Sequence, residues 1–110
     1  MPDQKIGEFE EIVMLTVGIL HGNAYGVTIK DEIEERLKRS VSVGALQVTL
    51  RRLEKKGLLA SEHGGTEESR GGRPKLFFTL TAHGKNILSG IRSERNKLWD
   101  ALPQVVIDLR

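Results

Sequence analysis

The 110-residue sequence contains no cysteine, and it has only five aromatic residues and three prolines. Without cysteine there is no disulfide framework, thiolate metal ligand or cysteine nucleophile. The longest apolar run, residues 12–20, is interrupted by Thr16 and Gly18. It is therefore shorter than the roughly 18 residues that a membrane-spanning helix needs. The first residues do not have the pattern of a signal peptide. We therefore predict one small cytoplasmic domain that gains further burial by self-association.

Side chains that carry out catalysis or bind metals do not form a recognisable pattern. The three histidines, His21, His63 and His83, lie in or beside breaks between predicted elements and lack ligand spacing. A glycine-rich phosphate-binding motif does not follow any predicted strand, and Gly84-Lys85 lacks the rest of a P-loop. We therefore predict that the protein is not an enzyme and has no metal and no cofactor.

Charge is distributed unevenly along the chain although the net charge is only +2. Residues 1–40 carry five basic and eight acidic side chains, whereas residues 41–80 carry seven basic and four acidic ones. A local excess of basic residues of this kind can contact phosphates, although it can equally be a solvated surface.

Apolar periodicity predicts three helices in the first half of the chain. The first covers residues 8–20 and is dense enough in apolar residues to be largely buried, and the second covers residues 24–39 and is amphipathic. Ser42 is the expected N-cap of the third helix, which runs to Lys56 and ends at Gly57. The third helix has an apolar stripe made of Val43, Leu46, Leu50 and Leu53.

The second half of the chain predicts a β-hairpin and a long helix. Residues 58–63 and 75–81 have the composition of strands, and the glycine-rich residues 64–74 form the loop between them. A final helix runs from about Thr81 to Leu102, and the apolar tail at residues 105–110 has no clear place. This order is that of a winged helix-turn-helix, so the predicted fold is mainly α with a small β-hairpin. Residues 1–80 would form the winged helix domain, and residues 81–110 the C-terminal dimerisation helix and tail.

Four stretches of the sequence resemble the PadR-type transcriptional regulators of bacteria. They are residues 7–11 with the apolar helix behind them, residues 23–29, residues 44–58, and residues 70–84. The resemblance covers roughly residues 7–102 and implies a DNA-binding winged helix. One departure is Gln47, because the family usually has an aromatic residue there, most often tyrosine. Glutamine can still form the paired hydrogen bonds that recognise adenine.

The predicted DNA-binding residues lie on the third helix opposite its apolar stripe, at the start of the second helix, and in the loop and second strand of the hairpin. Cations at these places would neutralise phosphates, and small or amide side chains would approach base edges. For Tyr25 a phosphate contact and ordinary packing are equally open, and the basic loop is alternatively a solvated segment. The predicted residues are Tyr25, Ser42, Gly44, Gln47, Val48, Arg51, Arg52, Lys55, Arg70, Arg73 and Lys75.

The final helix carries an apolar stripe too long for a small three-helix core to cover, which predicts a homodimer. The stripe consists of Ile87, Ile91, Leu98 and Leu102, and Trp99 is a further predicted interface residue. The first helix of the other subunit is the expected partner. Some small members of the resembled family bind planar aromatic compounds between interface tryptophans. The resemblance therefore implies an aromatic effector at Trp99, with a purely structural interface role as the alternative.

Together these features predict a homodimeric transcription factor that binds double-stranded operator DNA and represses transcription. The alternative is a winged helix that contacts proteins through the third helix and does not bind DNA.

Overall fold

The computed structural model describes residues 5–64 and 75–108. The helices are α1 (Glu8–Ile19), α2 (Gly26–Leu37), α3 (Val43–Lys55), α4 (Ala82–Ala101) and the short α5 (Gln104–Ile107). Strands β1 (Leu59–Gly64) and β2 (Lys75–Leu80) form an antiparallel hairpin in which Leu59 pairs with Leu80 and Gly64 pairs with Lys75. The predicted fold class, mainly helical with one small hairpin, is confirmed.

Helix α1 begins with acidic residues at the positive end of its dipole, and the Gly7 N–H donates a 2.9 Å hydrogen bond to Glu10 Oε1. Val13, Met14 and Val17 are buried in the centre of the core. The prediction of a largely buried helix is wrong for one face, because Leu15 and Ile19 are exposed. Their positions differ from the buried ones by about 100° to 200° around the helix, so they point away from the core.

Helices α2 and α3 pack on α1 through Ile29, Ile33, Leu46, Leu50 and Leu53, all of which are buried. The predicted stripe of α3 is wrong at Val43, which is 59% exposed. Val43 is the first residue of the helix and extends past the edge of the core, whereas Thr49 is buried further along. The predicted N-cap is confirmed, because Ser42 Oγ accepts a 3.1 Å hydrogen bond from the Ala45 N–H.

Gly57 ends α3 with φ of +78°, a left-handed conformation that glycine adopts without strain. The chain then enters β1, where Leu58 and Leu59 are buried. Phe78 is buried from the other strand, and its N–H donates a 2.8 Å hydrogen bond to the carbonyl oxygen of Ala24. The hairpin is therefore attached to the core and to the turn that precedes α2.

Thr81 is the N-cap of helix α4, and its hydroxyl accepts a hydrogen bond from the Gly84 N–H. Only the first half of the helix contacts the core, through half-buried Ile87 and Leu88. From residue 92 to residue 108 every residue is exposed, including those of α5. Within the described ranges, none of the helices is both long and apolar enough to cross a lipid bilayer.

Candidate nucleic-acid interface

One face of α3 is held in the core and the opposite face is solvent-exposed. Leu46, Thr49, Leu50 and Leu53 are buried and fix the helix on α1 and α2. The exposed face contains Ser42, Gly44, Gln47, Val48, Arg51, Arg52 and Lys55, all predicted from the sequence. A helix with small and amide side chains near its N-terminus and cations further along has the dimensions and chemistry to enter a DNA major groove.

Lys56, at the end of α3, points away from this face and forms an ion pair with Glu10 of α1. Lys56 Nζ lies 3.0 Å from Glu10 Oε2 and 3.3 Å from Glu10 Oε1. Burial raises the pKa of Glu10, but the Gly7 N–H, Lys56 and Arg52 outweigh burial and hold that pKa below its ordinary value. The pair joins the first turn of α1 to the C-terminus of α3 and so fixes the position of the exposed face.

Gln47 lies beside the first turn of α2. A Cβ atom added to Gly26 would lie 3.2 Å from Gln47 Nε2, so the carboxamide occupies the space that a side chain at Gly26 would need. The predictions from the sequence did not include Gly26 as a site residue.

Lys75 of β2 lies over the ring of Tyr25, the N-cap of α2. Its Nζ is 4.5 Å from the ring centroid and 3.4 Å from the Tyr25 hydroxyl oxygen. The Tyr25 ring also makes an edge contact with Phe77, with 5.3 Å between centroids. The Tyr25 ring therefore packs on the hairpin, while its hydroxyl lies beside an exposed ammonium that can share a phosphate.

The start of α2 lies between the two basic parts of the site. Tyr25 contacts Lys75 on the hairpin, and the adjacent Gly26 lies beside Gln47 on α3. The structure therefore brings Tyr25, Lys75 and the exposed face of α3 together in one surface. The predicted site residues Arg70 and Arg73 lie outside the described residues.

The predicted dimer residues lie on a separate surface along α4. Ile87 and Ile91 are half-buried, whereas Leu98 and Trp99 are 67% and 64% exposed and Leu102 is also exposed. Beside Ile87 and Ile91, a groove of about 560 Å³ runs between α4 and the segment that leads into α1. Its lining residues are Lys5, Ile6, Glu11, Asn86, Ile87, Gly90, Ile91, Glu94 and Arg95.

Within residues 5–64 and 75–108, no group of His, Asp or Glu side chains has the arrangement of a metal site. His21, His63 and His83 are exposed and lie in the turn after α1, on β1 and on α4.

Comparison with known proteins relates the chain to one family. The model described as "Transcriptional regulator PadR-like family" matches residues 15–90. A PadR-like transcription factor from Bacteroides fragilis is 27% identical, with 84% of each chain covered and a TM-score of 0.69. A PadR family transcription regulator from Clostridium difficile is 29% identical over 89% of this chain and 98% of its own, with a TM-score of 0.65.

Bacillus subtilis PadR in complex with operator DNA has the same fold, with a TM-score of 0.60. It is 21% identical over 78% of this chain and 47% of its own length. A comparison with curated protein sequences finds no match.

Proposed function

Because the chain belongs to the PadR-like family of transcriptional regulators, we propose that it binds operator DNA through α3 and the hairpin and represses transcription as a homodimer. The resemblance noted in the sequence is thereby confirmed, and the family consists of regulators rather than enzymes. Binding of the Bacillus subtilis relative to operator DNA supports DNA as the ligand.

The observation that carries the proposal is the exposed face of α3, with Gln47 and Val48 one turn before Arg51 and two turns before Lys55. Arg51, Arg52 and Lys55 neutralise phosphates or reach base edges, whereas Gln47 and Val48 approach base edges within the major groove. Lys75 extends this surface onto the hairpin, where its ammonium contacts the backbone of the same duplex.

We assign residues 1–80 to DNA binding and residues 81–110 to self-association. The exposed apolar residues on the second half of α4 would be buried in a dimer. Leu15 and Ile19, exposed on α1 of the other subunit, supply the apolar surface that would pack against them. A two-fold dimer presents two α3 helices to successive major grooves. Such a dimer on an operator would occupy the DNA that RNA polymerase needs, so we infer that the protein represses transcription and acts in the cytoplasm with the chromosome.

Selection from a random duplex pool tests the proposal. We expect a palindromic site whose half-sites lie about one helical turn apart. Arg51→Ala and Lys55→Ala should weaken binding to all sequences, whereas Gln47→Ala and Val48→Ala should change the preferred sequence. Arg36→Ala is the matched control, because Arg36 is an exposed cation at the far end of α2 that pairs with Glu32.

A winged helix that binds only proteins would give no enriched site. An unchanged preference in both the Gln47 and the Val48 variants would contradict the assigned face of α3.

A further inference from the structure

Gly26 is the first residue of α2 and lies against the side chain of Gln47 on α3. The distance from an added Cβ to Gln47 Nε2 would be 3.2 Å, which is shorter than an ordinary van der Waals contact. Apart from the neighbouring residues 25 and 27 and the local helix backbone, no other heavy atom of the described residues lies within 4 Å of that Cβ position. Among the described residues beyond these neighbours, the group that a side chain at Gly26 would displace is therefore the Gln47 carboxamide.

The backbone at Gly26 does not require glycine. Among the described residues, only Gly22, Gly57 and Lys38 have positive φ. Gly26 therefore has a conformation that alanine adopts freely, and glycine costs a helix up to about 1 kcal/mol relative to alanine. The nearness of the Gln47 carboxamide supplies a reason for glycine at this position that the helix itself does not.

The start of α2 cannot easily move away from α3. The Ala24 carbonyl oxygen accepts a hydrogen bond from the Phe78 N–H, and the Tyr25 ring packs on Phe77 and Lys75. The α3 backbone beside Gln47 is fixed by buried Leu46 and Leu50. A side chain at Gly26 would therefore shift the flexible end of Gln47 and leave both helices in place.

The Gln47 carboxamide makes no hydrogen bond with any residue that the structure describes, so both its oxygen and its nitrogen can contact a base. Recognition of adenine by glutamine needs both atoms in the plane of the base. A displacement of a few tenths of an ångström, or a different rotamer, is enough to lengthen one of the two hydrogen bonds.

We propose that Gly26 is a positioning residue for base recognition: the space it leaves beside α3 sets the orientation of the Gln47 carboxamide and thereby the base that Gln47 selects. This inference rests on the proposed function, because it requires Gln47 to contact DNA.

The test compares the wild type with Gly26→Ala, Gln47→Ala and the double variant. For each, the affinity for the selected operator and for operators changed at one base pair is measured. Gly26→Ala should reduce discrimination at the base pair that Gln47→Ala affects, by at least about fivefold, the lower limit for a paired base contact. It should have no further effect when Gln47 is already alanine. The thermal midpoint should be unchanged or raised, since alanine reduces the freedom of the unfolded chain.

Gly90→Ala is the matched control, because Gly90 is also helical and an added Cβ there meets nothing within 4 Å. It should leave the base preference unchanged. An unchanged preference in Gly26→Ala, or an equal change with and without Gln47, would overturn the inference.

Nuclear magnetic resonance separates this inference from the proposed function. The side-chain amide signals of Gln47, assigned by their loss in Gln47→Ala, should move in Gly26→Ala even without DNA, and unmoved signals would overturn the inference. If the wild type binds no DNA, the proposed function fails and the inference about base choice fails with it. If the wild type binds DNA but Gln47→Ala keeps its base preference, only the inference fails.

Discussion

Lys56 and Glu10 form an ion pair between residues that are 46 positions apart in the sequence, with 3.0 Å between Lys56 Nζ and Glu10 Oε2. Glu10 is buried and also accepts the Gly7 N–H, so one carboxylate begins α1 and secures the end of α3. The orientation of the proposed DNA-binding helix therefore depends on a residue that contacts no DNA.

Replacement of Glu10 by alanine should lower the free energy of unfolding by about 1–3 kcal/mol, because a charged hydrogen bond and an ion pair are both lost. Denaturant unfolding of Glu8→Ala, which removes an exposed carboxylate from the same turn, provides the control and should change stability little. The pKa of Glu10 is lower in the folded protein than in the unfolded chain. Glu10 therefore stabilises the fold fully above the pKa of the unfolded carboxyl group, and this stabilisation is lost as the pH falls through the pKa of the folded state. The difference between wild type and Glu10→Ala should therefore narrow below about pH 4.3, and a difference that widened there would contradict this assignment.

Gly84 allows α4 to approach the chain between α3 and β1. A Cβ atom at this position would lie 2.2 Å from the Leu58 carbonyl oxygen, which is a backbone atom and cannot rotate away. Gly84→Ala should therefore destabilise the protein by about 1–3 kcal/mol or more. Gly90→Ala in the same helix should be neutral or stabilising by up to about 1 kcal/mol. Equal thermal midpoints for the two variants would contradict the close approach.

The elements were predictable wherever a local signal marks their ends. Ser42, Gly57 and Thr81 each begin or end an element through contacts within a few residues, so sequence patterns located them correctly. The role of Gly84, in contrast, could not be predicted from a local signal. From the sequence it only weakens a helix, and its close approach to Leu58 depends on how α4 packs in three dimensions.

In the proposed site, too, local patterns predict some residues, whereas others depend on packing in three dimensions. Helical geometry alone predicts that Gln47, Arg51 and Lys55 share the side of α3 opposite its core residues. The position of Gln47 beside Gly26 could not be predicted, because it depends on how α2 packs against α3. The prediction for Val43 is wrong because this residue has the correct spacing for the core stripe but lies where α3 extends past the core.

Leu98→Asp should convert the proposed dimer into monomers, because a carboxylate at an exposed apolar position has little cost in the monomer and a large one in an apolar interface. Sedimentation would measure the mass, and operator affinity should fall because the two half-sites are no longer bound together. The control is Ser93→Asp, which adds the same charge at an exposed position on another side of α4. An intact Leu98→Asp dimer would refute the assigned interface, as would dissociation of Ser93→Asp.

Trp99 is the only tryptophan, so its fluorescence reports a single site. If a planar aromatic effector binds at the dimer interface, aromatic cations or phenolic acids should quench this emission and weaken operator binding at the same concentrations. Both effects are needed, because a ligand regulates binding only when it prefers one arrangement of the dimer. Quenching with unchanged operator affinity would contradict regulation, and the lack of either response would leave Trp99 as an interface residue.

The salt dependence of DNA affinity tests the central claim, that α3 and Lys75 bind the DNA backbone, most directly. The logarithm of the binding constant should fall linearly with the logarithm of salt concentration, with a slope of about −0.9 for each phosphate neutralised. The slope should decrease in magnitude by about 1 in Arg51→Ala and stay unchanged in Arg36→Ala. Undetectable binding to duplex DNA at low salt, or an affinity that does not depend on salt, would contradict the account.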